Sequence, residues 1–456
     1  MKDERTGGHA VLRSNLSKYL FLLCCMWIYS GVAAQKLTAG EHRKLEQLID
    51  KSPVFSKMFT GFALFDPETS QILCQRNGDR YFTPASNTKI FTFYTALKIL
   101  GDSLPALHYI TRGDSLIFWG AGHPAFLHAE LTADSTVFLL LQQHKGKLFF
   151  CADNFLDDRF GPGWAWDDYR DYYQPERSPL PIYGNVVRYK KNGSALPQAM
   201  PELFNPMTTH DSRLPNDEVR FVRQEYDNVF TYNNLALNER YYNKEAPFYA
   251  TPAWVVKLLS DTLKRGVALL DHYPFPLKGV KTLYLRANDA LYRKLMQESD
   301  NFIAEQLLLM CADKLSGALR ADNAIAYARY NLFRDLPDEL IWNDGSGLSR
   351  YNLFTPRSIV KALHKLYLEV PQDRLFSIMA AGGATGTIRG WYNGKEGPYV
   401  YAKTGTLRNV HCLSGFLCTQ SGRILIFSFM HNAFIGGPTP VKEEMAKVLQ
   451  WIWEHY

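Results

Sequence analysis

The stretch that most limits what this chain can fold into runs from Tyr81 to Leu100 and holds Pro84-Ala85-Ser86-Asn87-Thr88-Lys89. From Ile90 to Leu100 it is apolar almost all round, which reads as a helix buried inside a domain rather than one lying on its surface. Gly101 supplies a C-terminal stop, and Pro84 stands just before the helix, where a missing amide donor costs least. Ser86 then falls in or beside the first turn, with Lys89 three residues on over the same face. A hydroxyl beside an amine at a helix N-terminus is a poised nucleophile: the amine takes the proton and the helix dipole favours the alkoxide.

Ser-x-x-Lys alone is weak evidence. It recurs at Ser358 and Lys361, where it reads as a capped helix start with a solvated lysine. Two later triplets set Ser86 apart: Ser299-Asp300-Asn301 is the chain's only S-x-N and Lys403-Thr404-Gly405 its only K-T-G, in that order. Singly, the first could merely cap a helix beginning at Phe302, and the second could be an ordinary strand edge. In sequence they point to one cleft. There Ser299 can relay a proton between Lys89 and a leaving amine, and the Asn301 amide can hold a substrate carbonyl. Lys403 places positive charge where a substrate carboxylate would dock, and Thr404 adds a hydroxyl. Gly405 lets an extended peptide lie against the strand edge. Two lysines in one cleft are expected to lower each other's proton affinity, helping Lys89 act as a neutral base.

At 456 residues the chain exceeds one ordinary domain, the length prior being roughly two to four. The formal charge of +6 is spread among acids with no basic stripe, so no nucleic-acid partner is expected. Lys2, Arg5, Arg13 and Lys18 precede an apolar run from Tyr19 to Tyr29 and the small-residue stretch ending Ala33-Ala34. This reads as a secretory signal over residues 1–34, because the run falls short of the about 20 apolar residues that a membrane anchor needs. The expectation is an exported protein of the periplasm or cell envelope, soluble or peripheral, with no membrane span once the signal is removed. Of seven cysteines, Cys74, Cys151, Cys311, Cys412 and Cys418 lie beyond the signal, sparse enough to read as buried thiols. No C-x-x-C, H-E-x-x-H or tight His/Asp cluster appears, so neither a metal nor another cofactor is expected.

Periodicity divides the mature chain in three. Residues 35–104 carry an amphipathic helix, two strands and the Ser86 helix. Residues 105–267 show short strand-like runs between turn-formers, with a helix expected only from Thr251 to Gly266, and read as a β-rich insertion. Residues 268–456 return to helices, then give three alternating strands between Tyr399 and Met430 and a closing helix from Val441. One antiparallel sheet built from both chain ends is expected, an α+β fold.

These motifs, with Pro84 to Lys89 and Asp344-Gly345-Ser346-Gly347-Leu348-Ser349-Arg350, resemble the penicillin-binding D-alanyl-D-alanine carboxypeptidases of the S13 peptidase type, the penicillin-binding-protein-4-like, class C low-molecular-mass group. The resemblance covers most of the mature chain, including Trp164-Ala165-Trp166-Asp167-Asp168. It implies a β-lactamase/transpeptidase-like domain interrupted by β-rich subdomains. It also implies carboxypeptidase activity on peptidoglycan stem peptides, often with D,D-endopeptidase activity, and acylation by β-lactams. The family's roles fall on Ser86, Lys89, Ser299 and Asn301 as catalytic residues and on Lys403, Thr404 and Gly405 for substrate; the backbone amides of Ser86 and Thr406 form the oxyanion hole. Gly382-Gly383-Ala384-Thr385-Gly386-Thr387 is richer in glycine than the family's usual stretch, and the insertion is somewhat short. The alternatives are a β-lactamase, or a non-catalytic wall-binding scaffold in which the insertion does the work.

Overall fold

A computed structural model of the chain describes residues 38–131, 135–273, 278–286, 289–395 and 397–456, so the expected signal lies outside the described residues. Helix α1 (Ala39–Asp50) opens on a capping box in which Thr38 and Glu41 bond each other's backbone amides. Strands β1 (Phe59–Asp66) and β2 (Gln71–Arg76) come next, then a 3-10 turn, Ala85–Asn87, that runs straight into α2 (Thr88–Leu100). As the composition predicts, α2 is buried along its length from Thr88 to Ala96 and again at Leu100.

The next stretch forms β3 (Ser103–Arg112), β4 (Ser115–Gly120), α3 (Thr136–Gln143) and β5 (Lys147–Cys151). Short strands β6 (Val186–Asn192), β7 (Gln198–Met200), β8 (Thr208–His210), β9 (Phe221–Arg223) and β10 (Phe230–Tyr232) come after them. Then come α4 (Asn234–Asn238), β11 (Tyr241–Pro247), α5 (Pro252–Leu263), β12 (Val267–Leu270) and β13 (Lys281–Arg286). These make a mixed sheet, β12-β5-β4-β3-β13, and two three-stranded sheets, β11-β6-β7 and β8-β10-β9, over a core of their own.

Two features differ from the expectation. Helices α3 and α4 lie inside the stretch read as strands; Val137 and Leu141, four apart, bury the apolar stripe of α3, and the Asn233 side chain caps the short α4. Strands β12 and β13, which the sequence boundary at 267 puts with the second catalytic part, pair into the inserted sheet, β13 against β3 from Lys281↔Tyr109 to Arg286↔Ser103. A short run such as Lys281 to Arg286 reads the same in either domain; only its partner assigns it.

The chain then forms α6 (Asp289–Gln297), α7 (Asn301–Ser316), α8 (Ala321–Asn331), α9 (Pro356–Glu369) and α10 (Gln372–Ile378). It ends in β14 (Ala380–Ala381), the small hairpin β15 (Asn393–Gly394) and β16 (Gly397–Pro398), then β17 (Val400–Leu407), β18 (Val410–Cys418), β19 (Ile424–Asn432) and α11 (Thr439–His455). Both chain ends contribute to one antiparallel sheet, β14-β17-β18-β19-β1-β2, closed by β1 against β19. Strand β18 is buried on both faces from Val410 to Leu417 because helices cover both. Cys412 and Phe416 face the core of α2, α7 and α9; Leu413 and Leu417 face the core of α1 and α11.

Leu449 on α11 is fully buried in the second of these cores. Leu449→Ala is expected to destabilise the protein by about 2–5 kcal/mol, read as a lower midpoint in urea unfolding.

Candidate active site

The 3-10 turn that carries Ser86 is strained and wedged. Ala85 takes φ 47, a left-handed conformation costing about 1–3 kcal/mol for a residue with a side chain. The chain around it holds it there. A Cβ at Gly347 would fall 1.9 Å from the Ala85 carbonyl oxygen, so only glycine lets the 344–350 loop close on the turn. Thr88 Oγ1 donates to the same carbonyl at 2.9 Å, and Asn87 Nδ2 donates to the Lys403 carbonyl at 2.9 Å, tying the turn to β17.

Lys89, the second residue of α2, is fully buried and has three acceptors. Its Nζ lies 2.9 Å from Ser86 Oγ, 2.6 Å from Asn301 Oδ1 and 2.6 Å from the Ser346 carbonyl oxygen. Asn301 Nδ2 donates to the Tyr173 carbonyl at 2.8 Å, which turns the amide oxygen towards Lys89. Burial lowers the Lys89 pKa to about 8, against the opposing pull of the Asp344, Glu305 and Asp300 carboxylates. The direction matches the sequence expectation, but desolvation is the cause, not the neighbouring lysine. It is Lys403 that feels the other charge: burial, then Lys89, hold its pKa well below the ordinary lysine value.

Asp300 caps α7 by accepting from the Ile303 amide at 2.9 Å, while Ser299 (φ 65) and Asn301 on either side turn into the cleft. The capping and functional readings of this triplet therefore hold together. Ser299 Oγ accepts from Lys403 Nζ at 2.8 Å, so the serine expected beside Lys89 is handed to the other lysine. Lys403 is itself fully buried, its second bond going to the Thr404 carbonyl at 2.7 Å. A carboxylate in the cleft thus meets hydroxyls first: Thr404 Oγ1 and Thr387 Oγ1 lie 2.7 Å apart on the cleft wall.

Gly405 has a different reason from the one the sequence suggests. A Cβ there would stand 2.6 Å from the Pro84 carbonyl oxygen and 2.9 Å from the Ser86 nitrogen, so its bareness seats the Ser86 turn against β17. It does not clear space for an incoming peptide. Thr406, next along β17, bonds His411 Nδ1 through its hydroxyl at 2.9 Å.

Ser86, Ser299, Asn301, Thr404 and Thr406 open onto one cleft of about 920 Å³. Beyond Lys403, no strand among the described residues pairs with β17 on its cleft side, since β14 meets it at Ala402 and Tyr401. The second Ser-x-x-Lys behaves as expected: Ser358 lies in the first turn capped by Thr355, and Lys361 is partly exposed near Asp335. Sequence reasoning missed Asn87, Tyr173, Ser346, Thr387 and Glu305 as neighbours of the site. Asn87 and Ser346 stood inside quoted motifs and Thr387 at the end of the glycine-rich stretch without a role being read from them, and Glu305 left a spacing signal, one helical turn beyond Asn301. Among the described residues no group of His, Cys, Asp or Glu is placed to hold a metal.

The fold is similar to the crystal structure of penicillin binding protein 4 (dacB) from Haemophilus influenzae, with a TM-score of 0.70 at 20% identity over 91% of this chain and 99% of that one. That likeness sets the fold: helices packed on antiparallel sheets, arranged as in that protein. Among curated proteins, D-alanyl-D-alanine carboxypeptidase DacB of Haemophilus influenzae is 23% identical over 89% of this chain and 92% of its own length. The D-alanyl-D-alanine carboxypeptidase of Actinomadura sp. strain R39 is 25% identical over 97% of this chain and 90% of its own. The model of the D-Ala-D-Ala carboxypeptidase 3 (S13) family matches residues 41–213 and 289–454, and the chain belongs to that family of serine peptidases.

Gly405→Ala is expected to push the 84–87 turn off β17, since overpacking of this kind costs about 1–3 kcal/mol. A crystal structure of the variant should show Ser86 Oγ beyond hydrogen-bond range of Lys89 Nζ, with a lowered melting temperature.

Proposed function

We propose that the chain is an exported serine D-Ala-D-Ala carboxypeptidase acting on peptidoglycan stem peptides through an acyl-enzyme on Ser86. The observation that carries this reading is the 2.9 Å contact between Ser86 Oγ and Lys89 Nζ, inside the reach a general base needs. Ser86 Oγ gives its proton to neutral Lys89 and attacks the carbonyl of the penultimate D-Ala. The resulting oxyanion is held by the backbone amides of Ser86 and Thr406, each worth roughly 3 kcal/mol. As the C–N bond breaks, the leaving D-Ala amine takes the proton that Lys89 received from Ser86, relayed by Ser299 once its hydroxyl turns from Lys403 to Lys89. Water then attacks the ester, giving the shortened peptide and restoring the Ser86 hydroxyl.

Thr404 and Thr387, backed by Lys403, receive the terminal carboxylate, and the free edge of β17 takes the peptide backbone as an added strand. β-Lactams acylate the same serine; the Haemophilus protein of similar fold has been crystallised with a novel β-lactam. The cleft's volume supports D,D-endopeptidase activity as well, because a cross-linked substrate brings a second strand. Export rests on the signal-like residues 1–34. No helix among the described residues is long and apolar enough to cross a membrane.

A fluorescent penicillin should label the wild type and leave Ser86→Ala unlabelled, and mass spectrometry should show a stem pentapeptide losing one D-Ala. Steady turnover of a chromogenic cephalosporin would favour a β-lactamase, and absence of labelling a scaffold. Lys89 must be neutral to act as base, so the acylation rate should rise with pH and level off above about 8, where its pKa lies. Below that it should fall by about tenfold per pH unit. N-terminal sequencing of the exported protein should begin at Gln35.

A further inference from the structure

Behind Lys89 lies a buried carboxylate with no part in acylation or hydrolysis as described. Glu305 is 1% exposed and sits on α7 one turn beyond Asn301, on the same face. Asn301 meets Lys89 directly; Glu305 meets it through one residue. The Ser346 amide donates to Glu305 Oε1 at 2.7 Å, and the Ser346 carbonyl accepts from Lys89 Nζ at 2.6 Å.

The carboxylate is poorly matched for a simple anchor. Its Oε2 completes no hydrogen bond of ordinary geometry, although the Gly345 amide also stabilises the charge. The nearest cation is Arg177, with Nη1 3.7 Å away, and that guanidinium already bonds Asp157, the Asp158 carbonyl and the Phe160 carbonyl. Asp344, the other carboxylate of this region, is saturated by comparison: the Trp164 indole, the Ser346 hydroxyl, the Gly347 and Ser349 amides and the Asn352 amide all donate to it. A buried acceptor left half unmatched costs about 1–3 kcal/mol. A glutamine would bond the Ser346 amide equally well without a charge. What glutamate adds is the charge.

We propose that Glu305 is a positioning residue for the base: its carboxylate aims the Ser346 peptide at Lys89 and keeps a buried negative charge behind that amine. The proposal rests on the reading of Ser86 and Lys89 as nucleophile and base. The charged groups facing Lys89 are Glu305 and Asp300 from α7, Asp344 from the 344–350 loop and Lys403 from β17. Those facing Glu305 are Lys89, Asp344 and Arg177. Burial, with Asp344 second, raises the proton affinity of Glu305. The carboxylates favour the ammonium form of Lys89, and burial favours the amine. Neutralising Glu305 therefore moves the balance towards the amine.

The test measures acylation of the mature enzyme by a fluorescent penicillin as a function of pH. Glu305→Gln keeps an acceptor for the Ser346 amide and removes the charge. Its acid limb is expected to move to lower pH by about one unit, with a high-pH plateau close to that of the wild type. Glu305→Asp keeps the charge but draws back from Ser346. Its limb should stay near the wild-type position while its plateau falls. An unmoved limb in Glu305→Gln, or a loss of rate equal at every pH, would overturn the proposal and leave Glu305 a structural anchor. Should Glu305→Gln not fold by thermal melt, Glu305→Met removes the same charge at similar volume but leaves the Ser346 amide without its acceptor, so its limb should move as in Glu305→Gln while its plateau falls. A wild type that takes no label would instead overturn the reading of Ser86.

Discussion

A lysine sealed from water among three acceptors is the constraint on which this architecture turns. A lysine ammonium has three hydrogens to place, and Ser86 Oγ, Asn301 Oδ1 and the Ser346 carbonyl accept one each. A neutral amine has two hydrogens and a lone pair. Two of its partners are carbonyl-type oxygens that cannot donate, so the hydrogens go to them and the lone pair faces the one hydroxyl. Losing a proton therefore leaves the Lys89 lone pair aimed at Ser86 with no side-chain motion. An unpaired charge buried like this would be prohibitively costly, so the three segments must all be in place at once.

The fold is what keeps them there. Ser86 and Lys89 ride on a helix buried on nearly every side, Asn301 on the first turn of α7, and Ser346 on a loop clamped by Asp344. Strand β17 enters from the other end of the chain and is pinned to the nucleophile turn by the Asn87 bond to the Lys403 carbonyl. Gly347 and Gly405 press on that turn from two sides, and the strain at Ala85 persists because neither neighbour can yield.

The parts of this design that depend on local pattern were legible in the sequence. The buried helix, the three C-terminal strands and the ordered S-x-x-K, S-x-N and K-T-G triplets all announce themselves through residue type and spacing. Asp300 shows why a motif can satisfy two readings: it caps α7 and thereby presents its neighbours to the cleft. Illegible were the features decided by who packs against whom. No spacing rule says that Ser299 bonds Lys403 and not Lys89, that Gly405 is bare for the sake of Pro84 and Ser86, or that Lys281 to Arg286 closes the inserted sheet. Each is a contact between segments far apart along the chain, fixed only once the sheets have chosen their partners.

The insertion is therefore part of the site rather than an attachment to it. The carbonyl that orients the Asn301 amide belongs to Tyr173, in the segment between β5 and β6. Glu130, just after β4, pairs with both Arg188 on β6 and Lys294 on α6, the helix whose end leads into Ser299. A second tie joins His108 on β3 to Asp313 on α7 at 2.8 Å. Through these contacts the inserted sheets hold both ends of the Ser299–Asn301 segment. A catalytic domain stripped of the insertion would leave Asn301 free to flip its amide, and with the amide reversed Lys89 would face a donor where it needs an acceptor. The segment between β5 and β6 and Lys89 are thus coupled through a single side-chain orientation.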